Sequence, residues 1–115
     1  MNFNNDFKYD LKVGQIKEKE VHEMLSNKTI EVKHDLQAIR TQNVYIEYES
    51  RGKNSGLSNT QAQYYCLAFG NGLHFIKTQH LKELCREYYK TDRDIKGGDN
   101  NTSKGILLPI KDLLK

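Results

Sequence analysis

The acids and bases of two short segments carry the most informative spacing in this chain. In "KTIEVKHD", residues 28–35, Glu31, Lys33 and Asp35 recur every second residue. Side chains alternate across a strand, so these three point the same way, and Ile30 and Val32 take the other, buried face. In "NVYIEYES", residues 43–50, Val44, Ile46 and Tyr48 alternate with Tyr45, Glu47 and Glu49. Paired with the first segment across about 5 Å, the second would bring its carboxylates up to those of the first. Like charges facing one another destabilise a sheet, and a hard divalent cation removes that cost because it takes several carboxylate oxygens. Mg²⁺ or Mn²⁺ is the cation such a site would take. Glu18, four residues beyond Gly14, can reach it from a preceding helix. Lys33 can hold a water or a phosphate oxygen. An ordinary same-face ion pair of Glu31 with Lys33, and a solvated "KEKE" face around Glu18, are the bland alternatives. His34 and His74 are not expected to be ligands, Asp10 reads as a cap, and Glu49 and Asp35 read as supporting or surface residues.

The loop "SRGKNSGLSNTQ" suits an anion. Glycines let backbone approach a phosphate closely. Arg51 and Lys53 bring charge, Ser55, Ser58 and Thr60 bring neutral donors, and a helix expected to begin near Asn59 or Thr60 would turn its N-terminus toward the ligand. Lys77 and Lys82 add to the attraction. A flexible surface loop is the alternative. Tyr64, Tyr65 and Cys66 read as core.

The elements that must position these groups follow from periodicity. Val13, Ile16, Val21, Met24 and Leu25 recur at helical spacing and predict a helix over 13–26. Strands follow over "TIEVKHD" and "NVYIEYES", then a helix over "NTQAQYYCLAF" stopped by "GNG", a strand "LHFIK", a helix "TQHLKELCREYYK" with Thr78 as its cap, a mobile loop over 91–104, and a short strand before Pro109 opens a last turn. The order α-β-β-α-β-α-β predicts an α/β (α+β) domain: a mixed β-sheet flanked by helices, with its first two strands an antiparallel hairpin. Residues 1–9 read as loose.

At 115 residues the chain fits a single domain. The net charge of +3 is mildly basic, compatible with a polyanion partner without demanding one. No run of about 18 apolar residues is present, so no membrane partner is expected. The first ten residues lack a basic-then-apolar leader, so the cytoplasm is the expected location. Cys66 and Cys85, each in an expected helix, lack metal-site spacing and read as reduced thiols.

"GQIKE", "IEVKHD" and "NVYIEYESRGKNSGLSNTQAQYY" together resemble small phage-type nucleases of the PD-(D/E)XK, or restriction endonuclease-like, superfamily, over about residues 10–77. Gly14-x-x-x-Glu18 matches that superfamily's helix acid, and Glu31-Val32-Lys33 its acid-x-Lys. The Asp usually found ten or more residues upstream is missing. Either Glu47 supplies that ligand, or Glu31 is itself the first acid and Glu47-Tyr48-Glu49 a degenerate second half. The resemblance implies a restriction endonuclease-like core and metal-dependent hydrolysis of DNA phosphodiesters. In that chemistry Glu18, Glu31 and Glu47 hold the metal, Lys33 acts at the reacting phosphate, and Arg51, Lys53, Ser55, Thr60 and Lys77 bind nucleic acid. Cutting both strands would call for a homodimer, in the cytoplasm of a bacterial host. Two rivals stay open: an inactive nuclease-fold binding or inhibitor protein, and an RNA-binding accessory module that needs only the basic loop.

Overall fold

Tyr64–Phe69, "YYCLAF", folds as a strand and not as the expected helix. Aromatic residues favour the pleated, half-buried surface of a sheet. The "GN" dipeptide that follows closes a two-residue hairpin: Phe69 pairs with Gly72, and Gly70 takes φ +57° at the first turn position. A Gly-led two-residue turn joins antiparallel strands better than it stops a helix. The computed structural model that shows this describes residues 29–114. The helix expected over 13–26, with Glu18, and also Asp10 and the loose segment 1–9, lie outside the described residues.

The described elements are β1 (Ile30–His34), α1 (Ala38–Thr41), β2 (Asn43–Ser50), β3 (Lys53–Asn54), β4 (Tyr64–Phe69), β5 (Gly72–Lys77), α2 (Thr78–Arg86), β6 (Asp94–Gly97) and β7 (Ser103–Pro109), with short 3-10 turns at Gly56–Ser58, Asp99–Asn101 and Ile110–Leu114. They make a mixed α+β architecture. It has two sheets where one mixed sheet was expected. In the first, the order is β1-β4-β5, with β1 parallel to β4 and β4 antiparallel to β5. In the second, the order is β3-β2-β7-β6, all antiparallel. The expected β1–β2 hairpin does not form, because each strand finds a longer partner elsewhere: β1 runs five residues along β4, and β2 runs along β7 from Asn43 to Ser50. The 91–104 segment, expected to be mobile, holds β6, a 3-10 turn and the start of β7. Gly97 in it and Gly105 just beyond it serve packing, since the Tyr45 ring lies so close that a Cβ there would sit 2.8 and 2.6 Å from it.

Between the sheets lies the core. Tyr65 and Leu67 come from the first sheet, Val44, Ile46, Ile106 and Leu108 from the second, and Leu81 and Cys85 from α2. Each such apolar side chain contributes about 1.5–3 kcal/mol on burial. Helix α2 presents Thr78, Leu81 and Cys85 inward at helical spacing. Thr78 is not its cap; Lys77 holds that position, and the Thr78 hydroxyl donates to the Ala62 carbonyl at 2.8 Å.

Asp35 joins the two sheets. Its amide donates to the Ala68 carbonyl on β4, and its carboxylate accepts from the Tyr45 amide on β2 at 3.0 Å and from the Gln37 amide at 2.9 Å. Among the described residues the first half of β2 has no strand on the edge away from β7, and this carboxylate satisfies a donor there. The same bond sets the end of β1, with Glu31 and Lys33 just before it, against β2.

Candidate functional site

Glu31 and Lys33 lie opposite Tyr65 and Leu67 in the parallel β1–β4 register, and so share the face that packs inward. The common face of Glu31 and Lys33 matches the alternation; the burial of Ile30 and Val32 does not. Val32 is 63% exposed and Ile30 only half-buried. The strand is an edge strand whose covered side is the Tyr65 side, and among the described residues the carboxylate of Glu31 lies toward that side. Asp35, beyond the strand end, is engaged in the joint between the sheets and also lines the cleft that holds Lys33 and Glu47.

Glu47 lies on β2 beside a bulge, where the register against β7 shifts between Glu47 and Glu49. Val44 and Ile46 point into the core, so Glu47 turns away from it, toward the loop 55–60. That loop holds both acids. The Ser55 hydroxyl donates to Glu47 Oε2 at 2.5 Å, and the Thr60 hydroxyl donates to Glu31 Oε1 at 3.5 Å, a long contact. Between them, Gly56 takes φ +51° and passes so near β2 that a Cβ would stand 2.3 Å from the Glu47 carbonyl oxygen. Only glycine fits there without moving backbone. The helix N-terminus expected near Asn59 is absent: Gly56–Ser58 is one 3-10 turn, and Ser55 and Thr60 orient carboxylates where they were expected to meet phosphate.

Two clefts meet at Gly56. One, about 450 Å³, is lined by Glu31, Thr60, Asn59 and Gln61 among others. The other, about 480 Å³, is lined by Lys33, His34, Glu47, Tyr45 and Tyr65 among others. The first holds Glu31, and the second holds Glu47 and Asp35 with Lys33.

Tyr65 is the member that its sequence context hides. Its side chain is 1% exposed, and its hydroxyl finds no hydrogen-bond partner among the described residues. Burial pushes the phenol up to about 12, the carboxylates of Glu31 and Glu47 add to the rise, and the nearby Thr60 hydroxyl opposes it without a bond of proper geometry. Both carboxylates are therefore close enough to Tyr65 to act on it. An orphaned buried hydroxyl is uncommon in native proteins and calls for a partner. The only trace of this in the sequence is its place opposite Glu31, which requires the β1–β4 register to see.

The remaining predicted residues scatter. Arg51 and Lys53 form the tip of the β2–β3 hairpin, where Arg51 (φ +52°) and Gly52 (φ +78°) make a two-residue turn with both φ positive. Both cations are exposed. Lys77 pairs with Tyr64 and so lies on the face of the first sheet opposite Glu31. Glu49 pairs with Lys104 at 3.7 Å. Cys66 sits in β4, not in a helix, and both cysteines are free and buried. Among the described residues no group of three or more His, Cys, Asp and Glu gathers as metal ligands, and no helix is long and apolar enough to cross a membrane. No protein family matches the chain, and neither the curated proteins nor the solved structures contain a match.

Proposed function

We propose that the chain is a metal-dependent nuclease that hydrolyses DNA phosphodiester bonds at the junction of the two clefts. One observation carries the reading: the hydroxyls of one loop reach two carboxylates, Ser55 that of Glu47 and Thr60, in a longer contact, that of Glu31, near a buried tyrosine hydroxyl that has no partner among the described residues. The PD-(D/E)XK likeness enters through Glu31-x-Lys33 and Glu47, and not through the order of the strands, which differs from the one expected for a restriction endonuclease-like core.

The donor set suits Mg²⁺ or Mn²⁺. These cations take hard oxygen ligands and are held by one or two carboxylates together with substrate phosphate and water. Glu31 and Glu47 would hold the ion, with Glu18 as a third ligand. When bound, the ion supplies positive charge against the phosphate and lowers the pKa of water. The chain does the rest. Lys33, lining the Glu47 cleft, offers a fixed charge to the phosphate oxygens as negative charge develops on them. Tyr65, a protonated phenol at neutral pH, lines the Glu47 cleft with its hydroxyl buried, and would donate to a water or phosphate oxygen once the loop admits one. Ser55 and Thr60 fix the rotamers of the two acids before substrate arrives, which limits reorganisation during reaction. Arg51 and Lys53, exposed on the hairpin tip, attract the DNA backbone in a salt-dependent way. Cleavage of both strands by so small a domain would use two copies, in the cytoplasm of a host cell.

A nuclease-fold protein that binds nucleic acid or another protein without cutting is the second reading. Its support is that no group of three or more metal-ligating side chains gathers among the described residues, and that Glu31 and Glu47 line separate clefts. Plasmid and oligonucleotide cleavage with Mg²⁺ or Mn²⁺ separates the two. Glu31→Gln, which keeps shape and removes charge, should lower the rate at least ~10²-fold while the protein stays folded, the scale of losing one electrostatic stabiliser. Full activity in that variant, or no cleavage by the native chain with either ion, would overturn the proposal.

A further inference from the structure

A second groove opens on the far side of the loop that holds the acids. About 350 Å³ in volume, it is lined by Tyr48, Leu57, Ser58, Lys82, Arg86 and Tyr89, with Ile106 and Cys85 among its other walls. Its floor is apolar and its rim is cationic. Lys82 and Arg86 stand one helical turn apart on α2, and the Lys90 ammonium lies 5.5 Å over the Tyr89 ring. Glu83, on the neighbouring stripe of α2, is engaged with His80 at 3.8 Å, and Asp94 accepts the Tyr48 hydroxyl at 2.6 Å. That bond fixes the Tyr48 ring, which meets Tyr89 edge-on at 5.7 Å between centroids. Tyr89 itself remains 53% exposed.

An aromatic ring met edge-on by a fixed neighbour, open to solvent, with two cations on the groove wall and a third over the ring, is the chemistry that takes a nucleobase and its phosphate. Stacking on aromatic side chains and attraction of the backbone are the two components of single-strand binding. A duplex keeps its base faces stacked internally and would leave the apolar floor unused. The place of the groove supports the same occupant. Leu57 and Ser58 line it, while Gly56, Asn59 and Thr60 of the same loop line the Glu31 cleft, so a strand leaving that cleft over the loop enters the groove directly.

We propose that this groove binds an unpaired, single-stranded segment of the nucleic acid, with a base stacked on Tyr89 and phosphates held by Lys82, Arg86 and Lys90. The proposal rests on the reading of the Glu31 cleft as a nucleic-acid site and names the form of substrate it takes. The chain contains no tryptophan, so Tyr89→Trp introduces a single fluorophore at the groove. Titration of that variant with an oligothymidylate, Mg²⁺ withheld, should quench its emission. Anisotropy with labelled oligothymidylate and a labelled blunt hairpin duplex gives the second readout. Tyr89→Ala should weaken single-strand binding about tenfold, within the range for one stacked base, and duplex binding less than about twofold. Tyr89→Phe should restore it. Lys82→Gln and Arg86→Gln should each flatten the single-strand salt dependence by about 0.7 of a slope unit. No quenching together with unchanged single-strand affinity in Tyr89→Ala overturns the groove while leaving the Glu31 cleft standing. Absence of any nucleic-acid binding by the native chain overturns both. Self-association abolished by Tyr89→Ala, without quenching by the oligonucleotide, would assign the groove to a second copy and also overturn it.

Discussion

Replacing Tyr65 by phenylalanine separates a structural hydroxyl from a functional one. An ordinary buried tyrosine loses stability with its hydroxyl, because a hydrogen bond breaks and leaves its partner unsatisfied. Tyr65 has no such partner among the described residues, and its oxygen is inaccessible to bulk water. Burying an unpaired hydroxyl costs about 1–3 kcal/mol by protein mutational data. Removing the oxygen recovers that cost and leaves a void about the size of one atom, which takes back part of the gain. The expected balance is about 1 kcal/mol in favour of Tyr65→Phe, or a rise in Tm of about 4–8 °C for a domain near this size. If the hydroxyl donates to a water or phosphate oxygen during cleavage, the same variant should lose about 10–10²-fold in single-turnover rate. A more stable and less active protein is thus the predicted signature. Differential scanning fluorimetry without metal measures the first half, and oligonucleotide cleavage at saturating Mn²⁺ the second. A fall in Tm would mean that Oη has a partner in the native state. A rise in Tm with full activity would mean that the hydroxyl does not face the chemistry, and would remove Tyr65 from the site.

The other variants test the frame around it. Glu47→Ala should abolish most of the Mn²⁺-induced rise in Tm, which for a native site at saturating ion amounts to a few kcal/mol; an unchanged thermal shift would exclude Glu47 as a ligand. Gly56→Ala forces a Cβ to 2.3 Å from the Glu47 carbonyl at φ +51° and should cost at least ~2 kcal/mol, read as a lowered urea midpoint, with cleavage falling in step as the loop moves off both acids. His74, half-buried and stacked on Phe69, has its pKa lowered by burial, with a hydrogen bond to the Leu113 backbone opposing. Its stabilising effect is therefore complete above the unfolded value near 6.5 and is lost as pH falls through the lower folded value. Tm should drop on acidification below about pH 6.5, and His74→Phe should flatten that drop; an equal drop in the variant would place the titrating group elsewhere.

Strand positions were largely legible where alternation was clean. "IEVKH", "NVYIEYES" and "LHFIK" all fold as strands. The helix "TQHLKELCR" follows from Leu81 and Cys85, one turn apart. The segment 64–69 went astray because polar capping residues at Asn59 and Thr60 suggested a helix start. The "GN" turn behind it carried more weight, since a two-residue hairpin fixes its flanks as strands through backbone pairing. Likewise "SRGK", which reads as part of an anion-binding loop, is a tight hairpin whose Gly52 marks a positive φ. Pairing partners were not legible at all. A short connection between β1 and β2 favours a hairpin locally, but β1 gains a whole parallel ladder on β4, and such non-local pairing leaves no trace in spacing.

The same distinction governs the site. Period-2 alternation tells which residues share a face and does not tell which face is covered. Glu31 and Lys33 do share one, but that face turns toward Tyr65, while Val32, chosen as core by its hydrophobicity, stands in solvent. An edge strand allows this inversion, since only one of its sides needs cover. The exchange puts a carboxylate where a packing residue was expected and leaves a phenol beside it without a bond. Packing alone would favour the opposite register, with Val32 inward and Glu31 in water. The native chain instead accepts an exposed Val32, a Tyr65 hydroxyl without a partner among the described residues and a glycine forced against Glu47, near the two acids. Local costs concentrated at one place are what a site selected for binding or chemistry would leave behind, and they support the proposal made for Glu31 and Glu47.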